Sequence, residues 1–228
     1  MRTASRKRNE DKRNLKFETL EPRIVLSTVP LITEFMAVND TELADGDGNF
    51  SDWIEIHNPT TSAIDLDGWH LTDNVTTLDK WTFPAVAQSV ISPGGYLVVF
   101  ATNQSTETYI DGGGNLHTDF KLSGSGEYLA LVDPTLTVAH AYAPNFPEQT
   151  ADVSYGLQES GGAYDLGQLK YFSTATPGAD NGLGAGQVHF SDTSKTFSTN
   201  FNLTLTTANP AADIRYTTNG AIPTASSA

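Results

Sequence analysis

A dense group of oxygen-bearing side chains opens the stretch DGDGNFSDWIEIHN, residues 45–58, and alternating apolar and polar residues follow. Oxygen ligands at this density bind calcium in EF-hand loops, and paired carboxylates catalyse glycoside hydrolysis. The stretch therefore leaves three alternatives: a calcium loop, half of a hydrolytic site, or a polar turn that leads into a buried strand.

The spacing of the ligands argues against an EF-hand. Such a loop needs oxygen ligands at positions 1, 3 and 5, glycine at position 6 and glutamate at position 12. Asp45, Asp47 and Asn49 occupy the first three ligand positions, but Phe50 stands at position 6, and Glu55 falls one residue short of position 12. We predict no metal ligand here and favour a solvated turn, with a non-standard calcium site as the alternative.

A catalytic carboxylate pair also fails on spacing. Asp52 and Glu55 are three residues apart, which on a strand places them on opposite faces and about 10 Å apart along the chain. Glycosidase carboxylates face one cleft, roughly 5–9.5 Å apart. We predict that these two residues do not form a catalytic pair, and no catalytic residue is predicted.

The alternation in residues 52–57 predicts a strand with Ile54 and Ile56 in the core. Trp53, Glu55 and His57 then share the outward face. That row is either a cross-strand ladder with the next strand, which carries Trp69 and Leu71, or a binding face.

The tryptophans are the candidates for contacts with a ligand. Trp53 and Trp69 are placed to stack on a sugar ring if the outward row binds carbohydrate. Trp81, in KWTFP, is predicted to be a core residue.

The remaining motifs predict loops rather than sites. SGSG (residues 123–126) lacks the spacing of a nucleophile elbow, and DGGGN (residues 111–115) lacks the lysine of a phosphate loop. The histidines show no metal-binding spacing, and no cofactor is predicted. They are His57, His70, His117, His140 and His189.

Charge and composition limit the classes of partner that the chain can have. The net charge is −14, but residues 1–23 are basic, so the acidity lies in the rest of the chain. An acidic body repels phosphate backbones, which disfavours nucleic acid and suits a basic partner. The chain has no cysteine. Its longest apolar run, YLVVFA, is far shorter than the ~20 residues of a transmembrane helix, and no secretory signal is evident.

Short apolar segments separated by Gly, Pro and Asp turns run from residue 29 to about residue 180. About eight to ten strands at this spacing predict an all-β chain with an antiparallel β-sandwich. The preceding residues 1–27 form a basic leader that we expect to be mostly disordered.

Two resemblances concern the first 181 residues. LKFETLEPRIVLS, residues 15–27, resembles the LEPR-XLL motif of large exported bacterial proteins, with Val25 in place of its first leucine. Residues 28–181 resemble the lamin tail domain, which implies an immunoglobulin-like interaction domain. The matching segments are SDWIEIHNP, IDLDGWHLTD, KWTFP, ISPGGYLVVFA, DFKLSGSGEYLALVDP and YFSTATPGADNG. Residues 105–118 are longer than a family hairpin needs and predict an elaborated surface loop.

After a predicted linker at residues 182–187, residues 188–228 resemble the start of a chitobiase/hexosaminidase C-terminal-type β-sandwich, through FNLTLTT and IRYTTNGAIPT. A segment this short buries too little apolar surface to be stable alone, so we expect a truncated second domain that is poorly ordered or loosely docked and belongs to a longer protein.

Together these observations predict a non-catalytic, exported or cell-surface interaction module of a larger bacterial protein, with a protein or a cell-surface polysaccharide as partner. The first alternative is an accessory region of an enzyme, CotH-kinase-like or a hydrolase, whose catalytic domain lies beyond residue 228. A nuclear role, as in lamins, is weaker because the chain has no heptad rod and no basic nucleic-acid face.

Overall fold

The computed structural model describes residues 28–106, 108–159, 163–182, 188–192, 196, 199–207 and 213–219. The leader with its LEPR-like motif and all but Gly182 of the predicted linker lie outside these ranges. The strands are β1 Leu31–Met36, β2 Asp52–His57, β3 Ile64–Asp65, β4 His70–Thr72, β5 Trp81–Thr82, β6 Val90–Ile91, β7 Tyr96–Ala101, β8 Leu116–Thr118, β9 Leu129–Val132, β10 Val138–Tyr142, β11 Ser154–Glu159, β12 Tyr164–Phe172, β13 His189–Phe190 and β14 Leu205–Thr206.

Two sheets form the main domain. One has six strands in the order β12-β11-β1-β2-β7-β8, and the other has four in the order β10-β9-β4-β5. A single apolar cluster joins them, with Ile32 and Ile54 from the first sheet and Leu71 and Leu131 from the second. This arrangement confirms the predicted all-β sandwich. In the described part of the chain the one helical element is a short 3-10 turn, Ala87–Ser89.

Three predictions about the core are confirmed. Ile54 and Ile56 are fully buried between the sheets, and Trp81 belongs to the same cluster at 4% exposure. Their burial follows from the alternation of the strand residues, because every second side chain points to the same face.

One pair of strands departs from the predicted antiparallel pattern. β7 and β8 are parallel, with Val99 opposite Leu116 and Ala101 opposite Thr118. Residues 105–118, predicted as a surface loop, contain the buried strand β8, which enters the sheet in the same direction as β7. Parallel neighbours require a crossover connection, and this accounts for the length of the segment between β7 and β8.

The prediction of an outward Trp-Glu-His row was also wrong. Trp53 and Glu55 have 0% exposure, because a segment of residues 173–182, here called the strap, crosses the outer face of the six-stranded sheet. Trp53 packs with Met36 and Phe100, and Ala175 of the strap packs against them. The ladder with Trp69 does not form either, since β2 lies between β1 and β7.

Beyond the strap, β13 and β14 form a separate two-stranded sheet, in which Phe190 pairs with Leu205. Phe190 is largely exposed. Over the residues that the structure describes, no helix is both long and apolar enough to cross a bilayer.

Candidate functional site

The acidic loop before β2 is a closed turn built around Asp45. The Asp45 amide donates to the Asn49 carbonyl oxygen at 2.8 Å, and the Gly48 amide donates to the Asp45 carbonyl oxygen at 3.0 Å. Oδ1 of Asp45 accepts hydrogen bonds from the amides of Asp47 at 3.1 Å and Asn49 at 2.8 Å. The carboxylate is therefore engaged by its own loop.

The glycine-rich segment DGGGN folds into the same turn. The Asp111 amide donates to the Asn115 carbonyl oxygen at 3.1 Å, and the Gly114 amide donates to the Asp111 carbonyl oxygen at 3.0 Å. Oδ1 of Asp111 accepts from the amides of Gly113 at 2.9 Å and Asn115 at 2.8 Å. The two D-G-x-G-N segments are thus matching structural elements.

The two turns dock onto each other. The Gly46 amide donates to Oδ2 of Asp111 at 2.6 Å, and Tyr109 donates its hydroxyl proton to the Asp47 carboxylate. A Cβ atom at position 46 would lie 2.1 Å from the Gly113 nitrogen, so the contact requires glycine. The loop pair ties the β1–β2 connection to the β7–β8 connection.

A buried histidine completes this contact. Nε2 of His117 lies 3.1 Å from Oδ2 of Asp111, and Nδ1 lies 3.1 Å from the Thr102 hydroxyl. Desolvation raises the pKa of Asp111, but hydrogen bonds from Asn115, Gly46 and His117 outweigh it and hold the pKa well below its usual range. Among the described residues, no three His, Asp or Glu side chains lie where they could share a metal ion.

A second polar cluster lies beneath the strap, where Glu34 of β1 faces Glu55 of β2. Oε1 of Glu55 accepts from the Thr33 hydroxyl at 2.6 Å, and Oε2 accepts from the Gly178 amide at 2.6 Å. Burial is the largest influence on this carboxyl and raises its pKa to about 8. Glu55 is therefore largely protonated at neutral pH.

Glu34 is held in the same way. The Ser154 hydroxyl donates to Oε1, and the Thr176 amide and hydroxyl donate to Oε2 at 3.1 and 3.0 Å. Burial raises the pKa of Glu34 as well, against these hydrogen bonds. Both glutamates are fully buried, so the cluster binds the strap to the sheet and offers no surface to a substrate.

Asp52 and Glu55, considered above as a catalytic pair, lie in different surroundings. Oδ2 of Asp52 accepts from the Leu122 amide at 3.2 Å. It lines a pocket of about 100 Å³ with Phe50 and Lys121, whereas Glu55 lies under the strap. Burial raises the pKa of Asp52 to about 7.

The histidines whose side chains are described are dispersed. His57 stacks on Tyr96 with ring centres 4.4 Å apart, and His70 bonds to the Thr82 hydroxyl at 2.9 Å. His140 is mostly buried, and burial lowers its pKa to about 4. The side chain of His189 lies outside the description.

An open cleft of about 540 Å³ runs along the outer edge of β5. Asp79 to Thr82 form one wall, and residues 103–105 with Asp119 form the other. Asp79 and Asp119 in its walls are exposed, whereas Asp45, Asp111 and both glutamates of the strap cluster are buried. The cleft is the candidate binding site, and sequence reasoning missed it because its walls come from distant segments.

The sequence did carry a signal for two other features. The likeness of DGDGN to DGGGN is readable directly, and Glu34 is a lone carboxylate inside the apolar run PLITEFM. A charge within a buried strand requires partners, which here come from the strap.

Comparison with known proteins gives two family matches. The Lamin Tail Domain profile matches residues 31–145, and the Chitobiase/beta-hexosaminidase C-terminal domain profile matches residues 193–228. No curated protein matches the chain significantly. The first match spans half of the chain and falls on the sandwich described above, so the chain belongs to the lamin tail domain family.

Proposed function

We propose that the chain is a non-catalytic interaction module of a larger exported or cell-surface protein. The supporting observation is that several buried carboxylates are engaged in hydrogen bonds within the chain. Asp45, Asp111, Glu34 and Glu55 accept hydrogen bonds from the chain's own amides and hydroxyls. A general acid or nucleophile must instead reach its substrate.

The lamin tail fold fits this role, because a rigid sandwich presents loops and sheet edges to partners. The open cleft beside β5 is such a surface. The export part of the proposal rests on the LEPR-like segment of the leader.

Surface exposure of the natural full-length protein tests the proposal. We expect an epitope tag placed after residue 182 to be reached by antibody on intact cells, and external protease to remove it. Detection of the tag only after lysis would contradict the export part. A substrate turned over by residues 1–228 alone would contradict the non-catalytic part.

The match to a chitobiase/hexosaminidase C-terminal domain favours a second candidate, an accessory region of an enzyme. The reading frame downstream of residue 228 distinguishes the two. A hydrolase or CotH-kinase-like domain there would support the accessory role, and further adhesive repeats would support the first proposal.

A further inference from the structure

We propose that the cleft beside β5 docks an extended polypeptide segment with basic side chains, which adds to β5 as a further strand. This inference rests on the proposed function and names the class of partner. The cleft volume of about 540 Å³ lies within the range of ~300–1,000 Å³ typical of ligand sites.

β5 has a free edge, because it is the last strand in its sheet. The Phe83 amide donates to the Trp69 carbonyl oxygen at 2.8 Å, and the Gly68 amide donates to the Phe83 carbonyl oxygen at 3.1 Å. Because alternate residues of an antiparallel strand bond to opposite sides, the N–H and C=O of Thr82 point away from β4. They are therefore available to a strand that enters the cleft.

The charge of the cleft also favours a basic segment. Asp79 and Asp119 line the cleft and are exposed. Its one lining cation, Lys80, is held by both carboxylate oxygens of Asp73 at 2.6 and 2.8 Å and lies 5.2 Å from the centre of the Phe120 ring. The cleft is thus net negative, as is the body of the chain, and it would attract a basic segment.

The wall opposite β5 is already ordered before any partner binds. The Asn103 amide donates to the Phe120 carbonyl oxygen at 3.0 Å, and the Gln104 amide donates to the Thr118 carbonyl oxygen at 2.9 Å. Asn103 adopts φ 57°, a left-handed turn. A wall that is already ordered reduces the entropic cost of binding.

A sugar ligand is disfavoured by the same cleft. Carbohydrate sites use an exposed aromatic face for stacking, but Trp81 is almost completely buried. Of the two predicted sugar contacts, Trp53 is under the strap and Trp69 packs against the core. A peptide needs only main-chain pairing and the two carboxylates.

The test uses the whole 228-residue chain and a fluorescein-labelled nonapeptide of alternating lysine and threonine, with a glutamate–threonine peptide as the charge control. We expect saturable binding of the lysine peptide, weakened by salt, with amide NMR shifts concentrated at residues 79–83 and 103–105. Binding of both peptides alike, binding of neither, or shifts centred elsewhere would overturn the proposal.

Two variants separate charge from strand addition. Asp79→Asn with Asp119→Asn should weaken binding about tenfold, while Asp40→Asn with Glu42→Gln, which neutralises two exposed acids that do not line the cleft, should leave it unchanged. Thr82→Pro removes the outward N–H, which edge strands tolerate, and should weaken binding similarly.

Thermal unfolding must first show that each variant is folded. If Thr82→Pro is not, the aspartate pair with its control still decides the charge argument. Unchanged binding in folded Thr82→Pro would reject strand addition. Loss of peptide binding with intact surface exposure would reject this inference and leave the proposed function standing.

Discussion

At the scale of single residues, one turn design occurs three times in the described part of the chain, beginning at Asp45, Asp111 and Asp133. In each turn, the aspartate carboxylate accepts hydrogen bonds from the backbone amides two and four residues further along the chain. The residue three positions after the aspartate has a positive φ: Gly48 at 84°, Gly114 at 87° and Leu136 at 62°. The third turn alone places a bulky side chain in the left-handed region.

Replacing Leu136 by glycine should therefore stabilise the protein. A left-handed L-residue costs about 1–2 kcal/mol, and glycine loses part of that gain through its freer unfolded chain. We expect Leu136→Gly to be about 1 kcal/mol more stable than Leu136→Ala, which keeps the strain. Denaturant unfolding of the pair measures this, and equal midpoints would contradict it.

At the scale of elements, β11 approaches β1 too closely for a side chain at position 156. A Cβ atom on Gly156 would lie 2.1 Å from the Thr33 carbonyl oxygen and 2.9 Å from the Glu34 Cα, both backbone atoms of β1. Backbone atoms cannot move aside as a flexible side chain can. The pairing of β1 with β11 therefore depends on this glycine.

Gly156→Ala should destabilise the sheet by about 2 kcal/mol or more, because one strand must shift. Gly167→Ala, in the neighbouring strand β12, is the matched control. A Cβ atom on Gly167 would have as its nearest neighbour the Asp165 carboxylate of the same strand, 3.4 Å away. Thermal melts compare the two. A control that loses as much stability as Gly156→Ala would refute the steric explanation.

The attachment of the strap to the sheet also depends on one side chain. Nδ2 of Asn181 donates to the carbonyl oxygens of Thr33 at 2.8 Å and Leu157 at 2.9 Å. Asn181→Ala leaves both carbonyl oxygens without this donor, which should lower the free energy of unfolding by about 2–4 kcal/mol. Asn145→Ala, at an exposed position, should cost under about 0.5 kcal/mol; chemical denaturation distinguishes them.

At the scale of the whole molecule, buried carboxyls couple stability to pH. Burial raises the pKa of Glu55 from its usual value near 4.5 to about 8. It also raises the pKa of Glu34, and that of Asp52 to about 7. The folded protein binds these protons more tightly than the unfolded chain does, so each stabilising contribution is fully present below the unfolded pKa and is lost as pH rises through the folded value.

We therefore expect the free energy of unfolding to fall between about pH 4.5 and pH 8, with Glu55 contributing on the order of 3–5 kcal/mol. Glu55→Gln mimics the protonated side chain and should flatten much of this slope, while Glu42→Gln, on an exposed residue, should not. Urea unfolding at a series of pH values provides the measurement. A wild-type stability that rises toward pH 8 would contradict the assignment.

The sandwich also extends past the family match, which ends at residue 145. β11, β12 and the strap follow it. β11 pairs with β1, β12 pairs with β11, and the strap covers Glu34 of β1 and Glu55 of β2. Residues 28–145 alone should therefore fail to unfold cooperatively, whereas residues 28–182 should do so. Calorimetry on both tests this, and a sharp transition in the shorter chain would disprove the need for the later strands.

The sequence by itself determined the features that depend on local pattern. Alternation placed Ile54 and Ile56 in the core, turn residues marked the strands, and separated motifs pointed to the lamin tail family. These signals are local because strand periodicity and turn geometry involve only neighbouring residues.

Only the tertiary structure decided what covers the other face of β2. Trp53 and Glu55 alternate as an exposed row would, yet the strap, more than a hundred residues later, buries them. The parallel entry of β8 and the cleft beside β5 likewise arise from segments distant in sequence. A period of two tells which residues share a face, but burial depends on what packs there, and that is a property of the folded chain.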